Sequence, residues 1–320
     1  MSDRVAGDPM TGGSVELDPL ETTLLDLLHA LDGADLPLLL GGGYGLVLRN
    51  RYLQERGEPP LLKISPPLRS TNDLDIFLRT ELLADSRRLI PLKTALDILG
   101  FRVIDSARHY QFARRIQLSG YSWDIKVDLL TRQPDPVEFP NLRFDARRVR
   151  PNPSLQLHAH TTPEARAVED DNTLLRLQGR RSNGEVHSGM VALPSAYAFL
   201  MMKLFAFRDQ WQQEHRDFGR KHALDIFSIV ASITAKEFTQ SQTLRERHRE
   251  SAQGREAGRI ASQMFGNTNA SGAIRLREHP SFPGTAQMDL FLETIRELFP
   301  VNANDVGFQV SARHVSRSVT

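Results

Sequence analysis

Apolar residues Leu20, Leu24, Leu25, Leu27, Leu28 and Leu31 recur at helical spacing, so the pattern predicts an amphipathic helix over 17–31. Pro37 then opens a short apolar run, 38–40, read as a strand because a strand tolerates proline at its first position. Gly41, Gly42 and Gly43 stop that run, and 44–54 returns to a helical pattern. The stretch 55–70 contains Gly57, Pro59, Pro60, Pro66 and Pro67 and reads as a loop. Positions 73–78 alternate like a strand, and 89–99 form an amphipathic helix ended by Gly100. Three strands follow, at 101–104, 111–118 and 122–130, with Gly120 placing a hairpin between the last two. The order α-β-α-β-α-β-β-β indicates an α/β or α+β domain with a mixed sheet.

The second half has a different character. Residues 131–153 are rich in Pro and Arg and read as a linker or extended connection, and 155–177 add strands. Helical patterns then cover 195–210, 220–235, 238–265 and 288–298, with Pro194 at the first position of its helix. The expected division is a disordered leader over 1–16, a first domain over 17–150 and a mainly helical lobe over 151–320, where 301–320 form a loosely held tail.

Composition narrows the class. The 320 residues are 40% hydrophobic and 25% charged, which is ordinary for a soluble globular protein. There are no cysteines, so disulfide and thiolate chemistry are excluded, in keeping with a cytoplasmic location. Residues 1–15 are rich in Gly, Ser and Asp and lack the apolar core of a targeting peptide. No apolar window is long enough to span a membrane. The net charge of +1 decides nothing about nucleic acid. Arginines 147, 148 and 150, then 180 and 181, then 245, 247 and 249 form basic clusters of the kind that follow a phosphate backbone. Glu246 and Glu250 interleave the last cluster, as in a solvated face.

The candidate chemistry begins at the glycines. A strand ending in glycine and leading into a helix presents bare N–H groups and the positive end of the helix dipole, a setting that favours phosphate. A tight turn explains the same glycines equally well. The pattern is neither a P-loop nor a dinucleotide fingerprint, because no Gly-Lys-Ser/Thr follows and Leu46 stands where a third glycine is needed. In Arg69-Ser70-Thr71-Asn72-Asp73-Leu74-Asp75, strand alternation projects Asp73 and Asp75 to one side. Two adjacent carboxylates repel unless something neutralises them. A divalent cation with oxygen ligands is one remedy, and exposure to water on an edge strand is the other. Asp124, Lys126 and Asp128 share one strand face, and Asp128, flanked by Val127, Leu129 and Leu130, is the expected third metal ligand. Two Mg²⁺ ions, with Mn²⁺ as the alternative, would then be held by Asp73, Asp75 and Asp128 while the glycine turn takes the phosphates of an NTP. An acceptor hydroxyl would attack the α-phosphorus, pyrophosphate would leave, and Asp128 would take the proton.

The succession Gly-Gly, Asp-x-Asp and a strand-borne Asp resembles the polymerase-β type nucleotidyltransferase superfamily. Further along, Lys203-Leu204-Phe205-Ala206-Phe207-Arg208, then Asp217-x-x-x-Lys221, then Asp225 look like the AbiEii/AbiGii-type toxin nucleotidyltransferases, which include the MenT enzymes. The resemblance runs from the glycine turn to the helix carrying Asp225. It implies a nucleotidyltransferase fold followed by a helical lobe, NTP and Mg²⁺, a separately encoded antitoxin, and for some members nucleotide addition to the 3′ end of tRNA. By position, Lys203 would contact the triphosphate from the second lobe, with Arg208 nearby at a shorter interval than the family pattern. Asp217, Lys221 and Asp225 would line the far wall. The superfamily's Gly-Ser is Gly-Gly here, so a phosphate-contacting hydroxyl is missing or comes from Ser70 or Thr71, beside Arg69. Taken singly, Lys203 reads as a snorkelling lysine and Asp217 and Lys221 as a helix-stabilising i,i+4 pair.

His158 and His160 have no matching third metal ligand and read as structural, and Trp123 and Trp211 read as packing residues. The functional expectation is transfer of a nucleotide to RNA, with tRNA foremost. The alternatives are transfer to a small molecule such as an antibiotic or to a protein, and a binding protein that has lost turnover.

Overall fold

The computed structural model describes residues 18–62, 71–107, 109–118, 120–145 and 147–301. The expected leader and tail therefore lie outside the described residues, apart from Val301, as does the second half of the loop over 55–70. Along the chain run α1 (Pro19–Ala30), β1 (Leu38–Leu40), α2 (Gly42–Arg56), β2 (Asp73–Phe77), a short α3 (Thr80–Ala84) and α4 (Ile90–Ile98). The strands β3 (Arg102–Val103), β4 (Gln111–Leu118), β5 (Tyr121–Thr131), β6 (Arg148–Val149), β7 (Ala159–Thr161), β8 (Thr173–Arg180) and β9 (Val186–Leu193) follow. The chain then turns helical: α5 (Ala196–Gln210), α6 (Arg220–Ser232), α7 (Ala235–His248), α8 (Ala252–Phe265), α9 (Ser271–Arg277) and α10 (Met288–Leu298).

The strands form one mixed sheet in the order β3-β4-β5-β2-β1-β9-β8, with β7 beside the far end of β5 and β6 on β7. The pairs β2/β5, β1/β9 and β5/β7 are parallel, and the rest are antiparallel. The mixed α/β architecture expected from the sequence is thus present. Strand alternation gives the sheet two different faces. On one, Leu38, Leu40, Leu74, Ile76, Val127 and Leu129 pack against leucines of α1 and α4. On the other, Leu39, Phe77 and Ala192 meet Ala165 and Val168, with Met202 of α5 packed against them. The helices α5 to α10 enclose a second core that also takes in Leu46 of α2.

Several boundaries differ from the expectation. The sheet continues past residue 150, because β7, β8 and β9 all join it and β9 lies parallel to β1. Helical structure takes over at α5, where the helical pattern from 195 places it. The strand β9 escaped notice because His187, Ser188 and Gly189 interrupt its apolar pattern. The N-cap of α5 is Ser195, whose hydroxyl accepts the Ala198 N–H at 3.3 Å, so Pro194 precedes the cap and is not the first helical residue. The span 238–265 is two helices, α7 and α8, because Ser251 caps the second by accepting the Gly254 N–H at 2.9 Å. The short helices α3 and α9 were not anticipated.

Two buried arginines hold the layers in place. Arg114 of β4 donates to Asp26 of α1 at 2.6 Å, and Asp26 also accepts the Ser182 N–H at 3.1 Å. Arg49 of α2 forks onto Glu237 of α7 at 3.0 and 2.7 Å and donates to Ser232 at 2.8 Å, which fixes α2 against the helical part. Removing one partner of a buried pair strands the other charge. Arg114→Met is therefore expected to cost roughly 3–5 kcal/mol in a urea melt, and the double variant Asp26→Leu/Arg114→Met to cost less. A single variant as stable as the parent would show that the pair is not needed.

Candidate functional site

The acidic face is built by strand register. In the parallel pairing of β2 with β5, Asp75 stands opposite Asp128 and Asp73 opposite Lys126. Asp73, Asp75 and Asp128 therefore project from one face of two adjacent strands, while Leu74, Ile76, Val127 and Leu129 are wholly buried on the other. On the far side of β5, β4 sets Gln111 opposite Asp128 and Arg115 opposite Asp124.

The glycine turn lies directly against this face. The Gly41 N–H donates to the Asp75 carbonyl at 2.9 Å, extending the β1/β2 ladder by one rung. Gly42 then adopts φ +61°, and α2 begins. A Cβ on Gly41 would lie 2.4 Å from the Phe77 ring, and one on Gly42 would lie 1.6 Å from Asp75 Oδ2. Glycine is required here by close approach as well as by dihedral angle. The start of α2 carries no side-chain cap and no acidic residue in its first turn. Its leading N–H groups are thus not satisfied by a side chain of the helix's own N-cap.

The electrostatics single out Asp128. Burial pushes its carboxyl up to about 6, and the charges of Asp75 and Asp73 act in the same direction, while a hydrogen bond from Gln111 and the charge of Lys126 oppose the rise. Gln111 Nε2 donates to Asp128 Oδ2 at 3.0 Å. Asp128 Oδ1 is buried and has no hydrogen-bond partner. Asp124, on the same face, is engaged by a two-pronged fork from Arg115 at 2.7 and 2.8 Å, which lowers its pKa. A cluster of carboxylate oxygens, one of them orphaned, suits a hard divalent cation in donor type. Among the described residues, no three His, Cys, Asp or Glu side chains form a ready-made metal cage.

The other anticipated residues divide into separate groups. Arg69 and Ser70 lie outside the described residues. Thr71 Oγ1 accepts the Asp73 N–H at 3.4 Å, at the entry to β2. Lys203 is buried on α5, and its Nζ lies 2.7 Å from Asp225 Oδ2 of α6. The sequence pattern placed Lys203 on the triphosphate and Asp225 on the far wall, both in the helical lobe, and did not anticipate their direct pairing. Arg208 stacks over Phe205 at 4.6 Å and pairs with Asp209 and with Glu256 of α8. Asp217 does not share a helix with Lys221, which corrects the i,i+4 reading. Asp217, Phe218 and Gly219 all have positive φ, α6 starts after them, and Asp217 pairs with Arg220 at 3.2 Å. His158 packs on His109 and His160 on Tyr110, with ring centroids 5.4 and 5.1 Å apart. Trp123 is 39% exposed, more open than a packing role implies. In the basic clusters, Arg150 pairs with Asp145, Arg181 with Glu185 and Arg245 with Glu246.

Gln111 was missed by sequence reasoning, although the signal was present. A hairpin closing at Leu118 and Tyr121 carries Gln111 to Asp128 by counting back along the two strands.

No protein-family profile matches the chain, and no curated protein does. Among solved structures it is similar to an antigenic nucleotidyltransferase-like protein from Paracoccidioides brasiliensis, at 18% identity over 66% of this chain and 77% of that one, with a TM-score of 0.37. It is also similar to the antibiotic-resistance factor ANT(2'')-Ia, at 16% identity over 72% and 98% of the two chains, with a TM-score of 0.30. Likenesses this distant carry nothing about activity.

The raised pKa of Asp128 has a consequence for stability. A carboxyl at about 6 in the folded chain titrates near 3.9 when unfolded, so folding favours its protonated form. That contribution is complete below about pH 4 and is lost as pH rises through about 6. In metal-free buffer, Asp128→Asn should stabilise the protein by about 1–3 kcal/mol near pH 7.5, with the gain vanishing below about pH 4. Thermal melts across that range check this, and a variant less stable at pH 7.5 would contradict the electrostatic account.

Proposed function

We propose that this chain is a metal-dependent nucleotidyltransferase that moves a nucleoside monophosphate from an NTP to an RNA acceptor, with the 3′ end of tRNA as the favoured target. The observation that carries the reading is the in-register pair Asp75–Asp128 with the glycine turn of α2 pressed against Asp75. Its sequence context resembles the AbiEii/AbiGii toxins, which supports a toxin role with a separately encoded antitoxin.

In this reading Asp73, Asp75 and Asp128 hold Mg²⁺, two ions in all, or Mn²⁺ in its place. Bound there, the metal neutralises the triphosphate and stabilises the entering and leaving oxygens of an in-line displacement. Mg²⁺ commonly takes only one or two carboxylates and completes its shell with water and substrate phosphates, so a pre-formed protein cage is not required. The leading N–H groups of α2 receive the β- and γ-phosphates. The Lys203–Asp225 pair faces the triphosphate from the helical part, with Arg208, Asp217 and Lys221 further along that wall. Asp128, with a pKa near 6, accepts the proton of the acceptor hydroxyl. The hydroxyl oxygen bonds to the α-phosphorus, the bond from that phosphorus to the bridging oxygen breaks, and pyrophosphate departs.

A second reading, transfer to a small molecule or a protein, has its own support. The net charge is only +1 and arginines in each basic cluster are paired with carboxylates, so the surface lacks a strong field for RNA. Incubation with each labelled NTP, Mg²⁺ and total tRNA should label RNA. Asp73→Ala should reduce labelling to background while its melting temperature holds or rises, because a repelling carboxylate is gone. Label on an aminoglycoside or on protein in place of RNA selects the second reading. Near-normal turnover by Asp73→Ala would overturn the site.

A further inference from the structure

We infer that Gln111 is a positioning residue that fixes one oxygen of Asp128 so that the other is presented to a divalent cation. This rests on the proposed cation site. Three strands set Gln111, Asp128 and Asp75 in one row, from β4 through β5 to β2. Asp128 therefore has a neutral donor on one side and a carboxylate on the other. The amide of Gln111 takes Oδ2 at 3.0 Å, and Oδ1 remains buried without a hydrogen-bond partner. The two oxygens, equivalent in an untethered carboxylate, are thereby made different. The terminal torsion of an aspartate is broad and roughly two-fold, so repulsion from Asp75 would swing an untethered group away. Gln111 is also the end of β4, since β7 takes its place beside β5 two residues on, at Leu130.

The same face contains an internal comparison. Four residues back along β5, Asp124 stands opposite Arg115 in the equivalent register, and the guanidinium fork engages both of its oxygens. An arginine cancels the charge and occupies the lone pairs, so Asp124 has nothing left to offer a cation. Glutamine aligns Asp128 through one neutral hydrogen bond, which preserves the negative charge and leaves one oxygen open. The contrast explains why Asp128, and not Asp124, serves as the third ligand of the face. Outer groups that orient metal ligands commonly set affinity.

Mn²⁺ titration of the full chain, followed by electron paramagnetic resonance, tests this without relying on turnover. The parent should bind Mn²⁺ and Asp73→Ala should not. Gln111→Met matches the side chain in shape but has no donor. It should weaken Mn²⁺ binding about 10- to 100-fold while the metal-free protein still melts cooperatively, at a somewhat lower temperature because a buried carboxylate loses its donor. Gln111→Arg keeps a donor but reproduces the Arg115–Asp124 lock, so it too should lose Mn²⁺, and it tests the point if Gln111→Met does not fold. Parent-like affinity in both Gln111 variants would overturn the role of Gln111 and leave the cation site standing. A parent that binds no Mn²⁺ would overturn the cation site and this inference together.

Discussion

Parallel pairing of β2 with β5 forces Asp75 and Asp128 to share a rung, and the rest of the site answers to the repulsion this creates. At a separation of about 5 Å and an effective dielectric of about 20, two unit charges repel by roughly 3 kcal/mol. The strands cannot relieve it by slipping. A one-residue shift would turn Leu74, Ile76, Val127 and Leu129, all wholly buried, onto the opposite face and lose the core beneath α1 and α4. Hydrophobic burial on one face thus sustains electrostatic stress on the other. Within the chain, that stress is eased by the Gln111 amide, by Lys126 and by a rise in the pKa of Asp128.

The helical part contributes a second buried charge pair, Lys203–Asp225. Buried ion pairs are weak stabilisers, because desolvation offsets most of their attraction, and apolar residues of similar volume commonly pack as well or better. Lys203 follows Met202, which packs against the cluster that contains Phe77, a residue of the same sheet face as the acids. On the proposed function, the pair is kept for contact with a triphosphate and not for stability. The Arg49–Glu237 fork has a different part, since it spans α2 and α7 and so sets the glycine turn relative to the helices.

Much of this was legible in the sequence. The helix α10 and the strands β1 and β4 were read with their observed boundaries, and the alternation in 73–78 and 122–130 sufficed to put three acids on common faces. Local periodicity does not say which strands are neighbours, so the adjacency of Asp75 and Asp128 came only from the structure. The hairpin β8–β9 was missed for a related reason. Apart from the buried Ala192, its outward residues are polar or exposed, and its inner face includes Gly179 and Gly189, which make room for α1. The turn at 217–219 was unreadable because Asp217 and Phe218 adopt positive φ, which no propensity rule assigns to phenylalanine. The Lys203–Asp225 contact joins two helices, and neither helix's pattern contains it.

In the proposed function, catalysis and recognition fall to separate parts of the molecule. The acids, their glutamine and the glycine turn all lie within β1, α2, β2, β4 and β5, and on the proposed reading a cation held there would answer to charge and burial whatever the acceptor is. Nothing in that reading distinguishes a ribose hydroxyl of RNA from a hydroxyl of a small molecule, since both would present one oxygen and one proton to Asp128. Selection must come from surfaces farther out, where arginines are largely paired with acids and the net field is weak. With little long-range attraction, binding of an acceptor depends on short-range contacts at the cleft, and a rate set that way would respond weakly to salt. An RNA-modifying enzyme that relied on phosphate contacts would behave in the opposite way, because each released counterion makes affinity fall with added salt. Under the proposed function, the salt dependence of transfer is therefore the physical property that would divide the two acceptor classes, and it would do so through the surface alone, with the proposed metal chemistry held constant.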